Sequence, residues 1–109
     1  MFINGYRCMW IVAMFDLPTD TKKARQQYAL FRKHLLEDGF TMMQYSVYAR
    51  HCASKENAEV HIERIKRNLP PDGEVRVMTI TDKQFERMLV FWGKTRKAPE
   101  ASPCQLELF

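Results

Sequence analysis

The first apolar stretch of the chain predicts a central strand that ends in a carboxylate. Residues 8–15 are continuously apolar, of strand length and rich in β-branched and aromatic side chains, which predicts a strand buried on both faces. Asp16 follows at the strand exit, where sheet folds place their chemistry and where a carboxylate can bind a cation or polarise water. The alternative is a turn residue that caps the next helix. Thr19 or Asp20 is better placed as that cap, which leaves Asp16 free.

Two later segments carry the 3.6-residue period of amphipathic helices. The first runs from about residue 21 to 38 and stops at Gly39, a residue typical of the position after a helix. The second runs from about residue 55 to 68, with Ser54 as its N-cap. The predicted apolar faces consist of Ala24, Tyr28, Phe31 and Leu35 in the first helix and of Ala58, Ile62, Ile65 and Leu69 in the second.

The remaining patterns predict strands and complete the fold class. Residues 40–50 indicate two short strands, or one bent strand with a phase shift near Gln44. A turn at residues 70–73 precedes a half-exposed alternating strand over residues 74–80, and a short turn over residues 81–83 follows. The order predicts an α+β, ferredoxin-like β-α-β-β-α-β sandwich. Its uncovered sheet face would favour a face-to-face homodimer.

The 109 residues suffice for one domain, predicted over residues 1–93, with a flexible tail over residues 94–109. The tail is polar, basic and proline-containing until an apolar alternation that predicts an extra short docking strand. That strand could pair with its own sheet, a twin subunit or another protein. Its sequence also resembles the short peptides that bind the bacterial sliding clamp, an alternative ranked below the docking strand. The docking residues are Gln105, Leu106, Leu108 and Phe109.

A net charge of +4 favours an anionic partner. Five basic residues are candidates for phosphate contacts: Lys22, Arg25, Arg32 and Lys33 on the first helix, and Arg50. For a single helix, a solvated face is the favoured explanation of this stripe, and a nucleic-acid track requires a second copy or an adjoining basic element that extends it. The three cysteines and three histidines lack the spacing of a metal site or a disulfide framework. The chain has no membrane-length apolar run and no signal pattern, so the expected compartment is the cytoplasm.

The order of several motifs resembles the CRISPR-associated protein 2 family over about residues 9–93. The matching features are Phe15-Asp16-Leu17-Pro18, a basic helix with a terminal glycine, Gln44-Tyr45-Ser46-Val47-Tyr48, and the turn over residues 80–85. The resemblance implies a homodimer that lies between two dimers of the CRISPR integrase, with duplex DNA across it. Some family members are described as metal-dependent nucleases. Their metal-binding aspartate maps onto Asp16, which implies a pair of such residues in the dimer. Mg²⁺, which proteins bind through one or two carboxylates, is the candidate cofactor, and the identity of the metal stays open.

Several functions remain open from the sequence. The leading one is a DNA-binding adaptor that holds prespacer DNA for the integrase. The others are a metal-dependent endonuclease or endoribonuclease using paired Asp16, a toxin-like ribonuclease, and a single-strand RNA-binding module. The last is disfavoured because residues 74–80 carry no aromatic side chain for base stacking. Tyr45 and Tyr48 are interpreted as core or dimer-interface residues rather than stacking groups.

Overall fold

The computed structural model describes residues 8–94, which form a four-stranded antiparallel sheet in the order β2-β3-β1-β4 with two long helices. The predicted ferredoxin-like α+β fold is confirmed. The predicted extra strand and all of the predicted tail over residues 94–109 except Lys94 lie outside the described residues. The elements are β1 Met9–Asp16, α1 Lys22–Glu37, β2 Thr41–Gln44, β3 Val47–Cys52, α2 Lys55–Arg67, β4 Glu74–Thr81 and α3 Asp82–Glu86.

Strand β1 is central because it pairs with β3 on one side and β4 on the other. Its alternate residues Ile11, Ala13 and Phe15 are buried in the core cluster, whereas Trp10 and Met14, which point to the opposite face, are half-buried. Helix α1 adds Phe31 and Leu35 to this cluster, and α2 adds Ala58 and Ile65. The apolar periods of the sequence therefore identified the core correctly at most positions.

The helix caps test the sequence predictions closely. The N-cap of α1 is Thr21, whose hydroxyl accepts a hydrogen bond from the Ala24 amide at 3.0 Å, so the predicted caps Thr19 and Asp20 are wrong. The loop stays non-helical for longer than its capping residues suggest, and Thr21 is the residue with extended backbone directly before the first helical one. The predicted cap Ser54 is confirmed, and Gly39 follows α1 with φ of +89°.

The β-rich segment forms two short strands, the first of the two predicted alternatives. Strands β2 and β3 are joined by a tight turn at Tyr45 and Ser46, and their register shifts between Met42 and Gln44. Ser46 has φ of +63°, a left-handed conformation that a residue with a side chain rarely adopts. Packing and hydrogen bonds around the turn must therefore hold this residue in place.

Two segments differ from their predictions. Leu69 lies beyond Asn68, the C-cap of α2, and is 50% exposed, so its predicted place on the apolar face is wrong; His61 is instead buried on that helix. The predicted turn over residues 81–83 is the start of α3, because Thr81 and Gln84 form a reciprocal capping box that nucleates a short helix.

The sheet face opposite α1 and α2 is largely apolar. We call it the open face; its residues include Trp10, Val12, Met14, Val47, Ala49, Met78 and Ile80. Helix α3 covers one end of it, where the rings of Trp10 and Phe85 stack with centroids 3.7 Å apart. The Trp10 indole also donates a hydrogen bond of 2.8 Å to Asp82. The opposite end, where Asp16 lies, is free of α3.

Candidate functional site

Asp16 is the last residue of β1 and its side chain is exposed, as the sequence predicted for a strand-exit carboxylate. Its register partner on β4 is Glu74, the first residue of that strand. Within residues 8–94, no side chain donates a hydrogen bond to the Asp16 carboxylate. The carboxylate is therefore available to a ligand.

Sequence reasoning missed Glu74 and Arg76 as neighbours of Asp16. Residues opposite or diagonal to one another across an antiparallel pair share one face, which brings these two side chains to the same end of the open face. The Arg76 Nε donates a hydrogen bond of 2.9 Å to Glu74 Oε1. This bond and the guanidinium charge lower the pKa of Glu74. Only the strand register reveals the association, since the two segments lie far apart in the sequence.

The five candidate phosphate-binding residues fall into two groups. Lys22 and Lys33 are exposed on α1, and neither ammonium has a partner among residues 8–94. Three arginines are anchored: Arg25 donates to the Thr19 carbonyl at 3.0 Å, Arg32 to the Tyr48 hydroxyl at 2.7 Å, and Arg50 to the carbonyls of Asp38 and His51 at 2.8 and 2.7 Å. Arg50 thus has a structural role at the end of α1 in addition to any phosphate contact.

A second polar cluster, also missed from the sequence, joins α1 to α2. Asp38 accepts hydrogen bonds from His61 Nδ1 at 2.8 Å and from Arg64 at 2.6 Å. His61 is only 5% exposed, so its ring is held by this carboxylate inside the domain. Burial raises the pKa of the neighbouring Cys52 thiol, against a smaller opposing effect of Arg50. Asp38, His61 and Arg64 thus join the C-terminal end of α1 to α2, and we call this cluster the helix lock.

The two tyrosines of the β-rich segment have opposite environments. Tyr48 is 1% exposed and belongs to the core, as expected. Tyr45 is 76% exposed and lies in the turn rather than in a strand, so the core alternative is wrong for it and the dimer-interface alternative stays a prediction. Its ring stacks on Tyr28 of α1, with centroids 6.0 Å apart and planes 19° apart.

The described residues include neither a metal-binding cluster nor a membrane-spanning helix. Residues 8–94 contain no cluster of three or more His, Cys, Asp or Glu side chains that could hold a metal ion. No helix in that range has the length and apolar character needed to cross a bilayer. The predicted docking residues Gln105, Leu106, Leu108 and Phe109 lie outside the described range.

Comparison with known proteins decides the family. The family model described as CRISPR associated protein Cas2 matches residues 9–88, which is most of the chain. The chain belongs to the Cas2 family. Two relatives are each called CRISPR-associated endoribonuclease Cas2. The protein from Parvibaculum lavamentivorans is 66% identical over 101 residues, covering 93% of this chain and all of the relative. That from Flavobacterium psychrophilum is 53% identical over 107 residues, covering 98% of this chain and 93% of the relative.

A solved structure supports the fold independently. A crystal structure of a Cas2 protein superposes with a TM-score of 0.55 and 19% identity, covering 85% of this chain and 98% of that one. At that identity the likeness concerns the fold alone. The family model and the two relatives confirm the resemblance drawn from Phe15-Asp16 and the Gln44–Tyr48 segment, and the family acts in CRISPR adaptation.

Proposed function

We propose that this protein is a DNA-binding adaptor of CRISPR spacer acquisition. In this proposal its homodimer bridges integrase dimers and holds the prespacer duplex. One observation carries the proposal: the two sides of the sheet differ in chemistry. The open face is apolar and suits a second copy, whereas α1 on the other side presents cationic side chains to solvent.

Phosphate contacts from α1 would bind DNA without reading its sequence. Among residues 8–94, the ammonium groups of Lys22 and Lys33 have no partner, and Arg25 uses one nitrogen for the Thr19 carbonyl. One helix gives few contacts, but a dimer doubles them and extends the basic surface. Affinity should then fall steeply with salt, with a slope of about one per phosphate contact.

A second candidate is a metal-dependent nuclease, which the name endoribonuclease of the relatives favours. Mg²⁺ binds through one or two carboxylates with waters and substrate phosphates. Asp16 is exposed and has no partner among residues 8–94, but one carboxylate fits that donor set only in part. A second Asp16 from a dimer partner would complete the set. A bound Mg²⁺ would activate a water for attack on a phosphodiester. Asp16 would hold the ion, and Arg76 would remain paired with Glu74 beside it.

The deciding experiment is integration of a short duplex into a plasmid carrying CRISPR repeats. The reactions contain the integrase encoded with this protein and the wild-type protein, Asp16→Ala or Asp20→Ala. Asp20 is a matched control because it is also an exposed aspartate just beyond β1. Integration that requires the protein and survives Asp16→Ala supports the adaptor. Loss with Asp16→Ala alone, in a folded dimer, supports a chemical role for the carboxylate, and integration without the protein contradicts the adaptor proposal.

The basic surface has its own test in the same system. Duplex binding is measured for wild type, for the double variant Lys22→Gln with Lys33→Gln, and for Lys66→Gln as a control. Lys66 is an exposed lysine of α2 that already pairs with Glu63. We expect the double variant to lower the salt slope by about two and the control to leave it unchanged. Equal slopes for all three proteins would contradict the placement of DNA on α1.

A further inference from the structure

The β2–β3 turn presents the aromatic ring of Tyr45 to solvent. Tyr45 is 76% exposed, and one side of its ring is supported by Tyr28 at 6.0 Å between centroids. Among residues 8–94, no other ring stacks on Tyr45. A supported ring with its other face towards solvent is the arrangement on which proteins stack unpaired bases.

The position of this ring is fixed rather than adaptable. Ser46 has φ of +63°, and its hydroxyl lies 2.9 Å from the Tyr28 hydroxyl, in hydrogen-bond contact. Its carbonyl accepts a hydrogen bond of 3.1 Å from the amide of Phe15, the residue before Asp16. The strained turn is therefore tied both to α1 and to the end of β1. Backbone strain that is held in this way is frequent at binding sites.

Two arginines flank the supporting ring on α1. Arg25 and Arg32 lie three residues before and four residues after Tyr28, so all three side chains share one strip of the helix. Arg25 is anchored to the Thr19 carbonyl and Arg32 to the Tyr48 hydroxyl, each through a single nitrogen. A guanidinium has five donors, so each arginine is oriented and can still bind a phosphate.

The hydroxyl of Tyr45 stays uncharged at neutral pH. Hydrogen bonding with Tyr28, followed by the electrostatic effect of that neighbour, raises the pKa of Tyr45 above its ordinary value. Tyrosine is already uncharged at neutral pH at its ordinary pKa of about 10. No negative charge therefore stands on the ring beside the two arginines, and a phosphate backbone can approach. The turn and the helix strip together supply an aromatic support between two cations.

We infer that Tyr45 stacks against an unpaired nucleobase while Arg25 and Arg32 bind the phosphates on either side of it. The site takes single-stranded nucleic acid, or the unpaired end of a duplex, and brings it to the sheet end where Asp16 lies. This inference rests on the proposed nucleic-acid function and extends it, since phosphate contacts alone do not distinguish paired from unpaired strands.

The test compares two variants of Tyr45 and one variant of Arg25 on three probes. Tyr45→Phe and Tyr45→Leu both lack the hydroxyl, and only the former keeps the ring; Arg25→Gln tests the flanking cation. The probes are a blunt duplex, the same duplex with single-stranded ends, and that forked duplex with abasic ends. Binding is followed by fluorescence anisotropy, and a 2-aminopurine base in the single-stranded end reports stacking directly.

We expect Tyr45→Leu to weaken binding of the forked duplex by about 5- to 150-fold, the range for loss of one aromatic–base stack. Tyr45→Phe should retain the wild-type affinity and the quenching of 2-aminopurine. The blunt and abasic probes should distinguish Tyr45→Leu from wild type by less than about twofold, because neither offers a base to stack. Arg25→Gln should lower the salt slope by about one on the forked probe.

Each other outcome overturns the inference in a recognisable way. Equal affinity of wild type and Tyr45→Leu for the forked probe, with duplex binding intact, removes the stacking site and leaves the proposed function standing. An equal loss on all three probes shows a structural role for Tyr45. A shift of Tyr45→Leu to monomer in light scattering assigns the ring to a dimer contact. Failure of the wild-type protein to bind any probe rejects the proposed function together with the inference.

Discussion

A methyl group added at Gly73 should disturb the end of β1 more than any other glycine-to-alanine change within residues 8–94. Gly73 has φ of +96° and lies in the turn before β4. An added Cβ would lie 2.6 Å from Leu17 Cδ2 and 2.7 Å from the Asp16 carbonyl oxygen. The latter is a backbone atom and cannot rotate away, so the exit of β1 has to move.

The magnitude follows from two independent costs. A left-handed backbone costs a residue with a side chain about 1 to 2 kcal/mol. Forcing a methyl group into a packed site adds about 1 to 3 kcal/mol. The unfolded state of the alanine variant is less flexible, which returns about 0.4 to 1 kcal/mol. Gly73→Ala should therefore lower the free energy of unfolding by about 2 to 4 kcal/mol.

Two other glycines separate these costs. Gly39 also has a positive φ, of +89°, but its added Cβ would meet the Arg50 side chain at 3.1 Å, which can shift. Gly39→Ala should cost about 1 kcal/mol. At Gly93 nothing lies within 4 Å of an added Cβ, so Gly93→Ala should change stability by less than about 0.5 kcal/mol.

Urea unfolding followed by circular dichroism, with the wild-type slope shared by all variants, gives the three differences. The order of destabilisation should be Gly73→Ala, then Gly39→Ala, then Gly93→Ala. A midpoint for Gly73→Ala equal to that of Gly39→Ala would show that the turn relaxes freely and that contact with the Asp16 carbonyl does not constrain β1. The reasoning about the strand exit would then be refuted.

Further predictions concern the helix lock, the buried thiol and the tail. His61→Ala should lower the free energy of unfolding by about 2 to 3 kcal/mol because it leaves Asp38 short of a buried partner. Arg64→Gln, at a half-exposed position, should lower it by less than about 1 kcal/mol. Equal losses of stability in urea unfolding would contradict the helix lock. Burial raises the pKa of Cys52, so its stabilising contribution is complete below the pKa of the unfolded thiol and is lost as pH rises through the higher folded value. Wild type should therefore lose stability relative to Cys52→Ala as pH rises above the ordinary thiol pKa of about 8.5, and parallel pH profiles would argue against burial of the thiol. On the proposed adaptor function and the predicted docking strand, deleting residues 105–109 should abolish co-purification with the integrase. Retained binding would place the docking contact elsewhere, and a lower melting temperature would show that the strand pairs with its own sheet.

The sequence predicted the features that depend on local periodicity. The buried run of β1, the apolar faces of both helices and the cap at Ser54 follow from residues that lie close together in the chain. The exit position of Asp16 was predictable for the same reason. The errors are local as well: Thr21 replaced the predicted caps because several adjacent residues could all cap a helix, and only the loop path selects among them.

The features that the sequence did not reveal depend on long-range register. Glu74 lies opposite Asp16 only because β4 pairs antiparallel to β1 with that alignment. Asp38 and His61 meet because two helices pack on the same sheet face. The exposure of Tyr45 depends on the tight turn at Ser46, whose left-handed backbone no residue preference would suggest.

Helix α3 has a geometric consequence for any partner that packs on the open face. The stacked pair of Trp10 and Phe85 raises one end of that face above the level of the strands. A second sheet packed on the open face would avoid this step if it were displaced along the strands towards the Asp16 end. A displacement of one sheet relative to the other in this direction would bring the Asp16 ends of the two packed sheets towards each other.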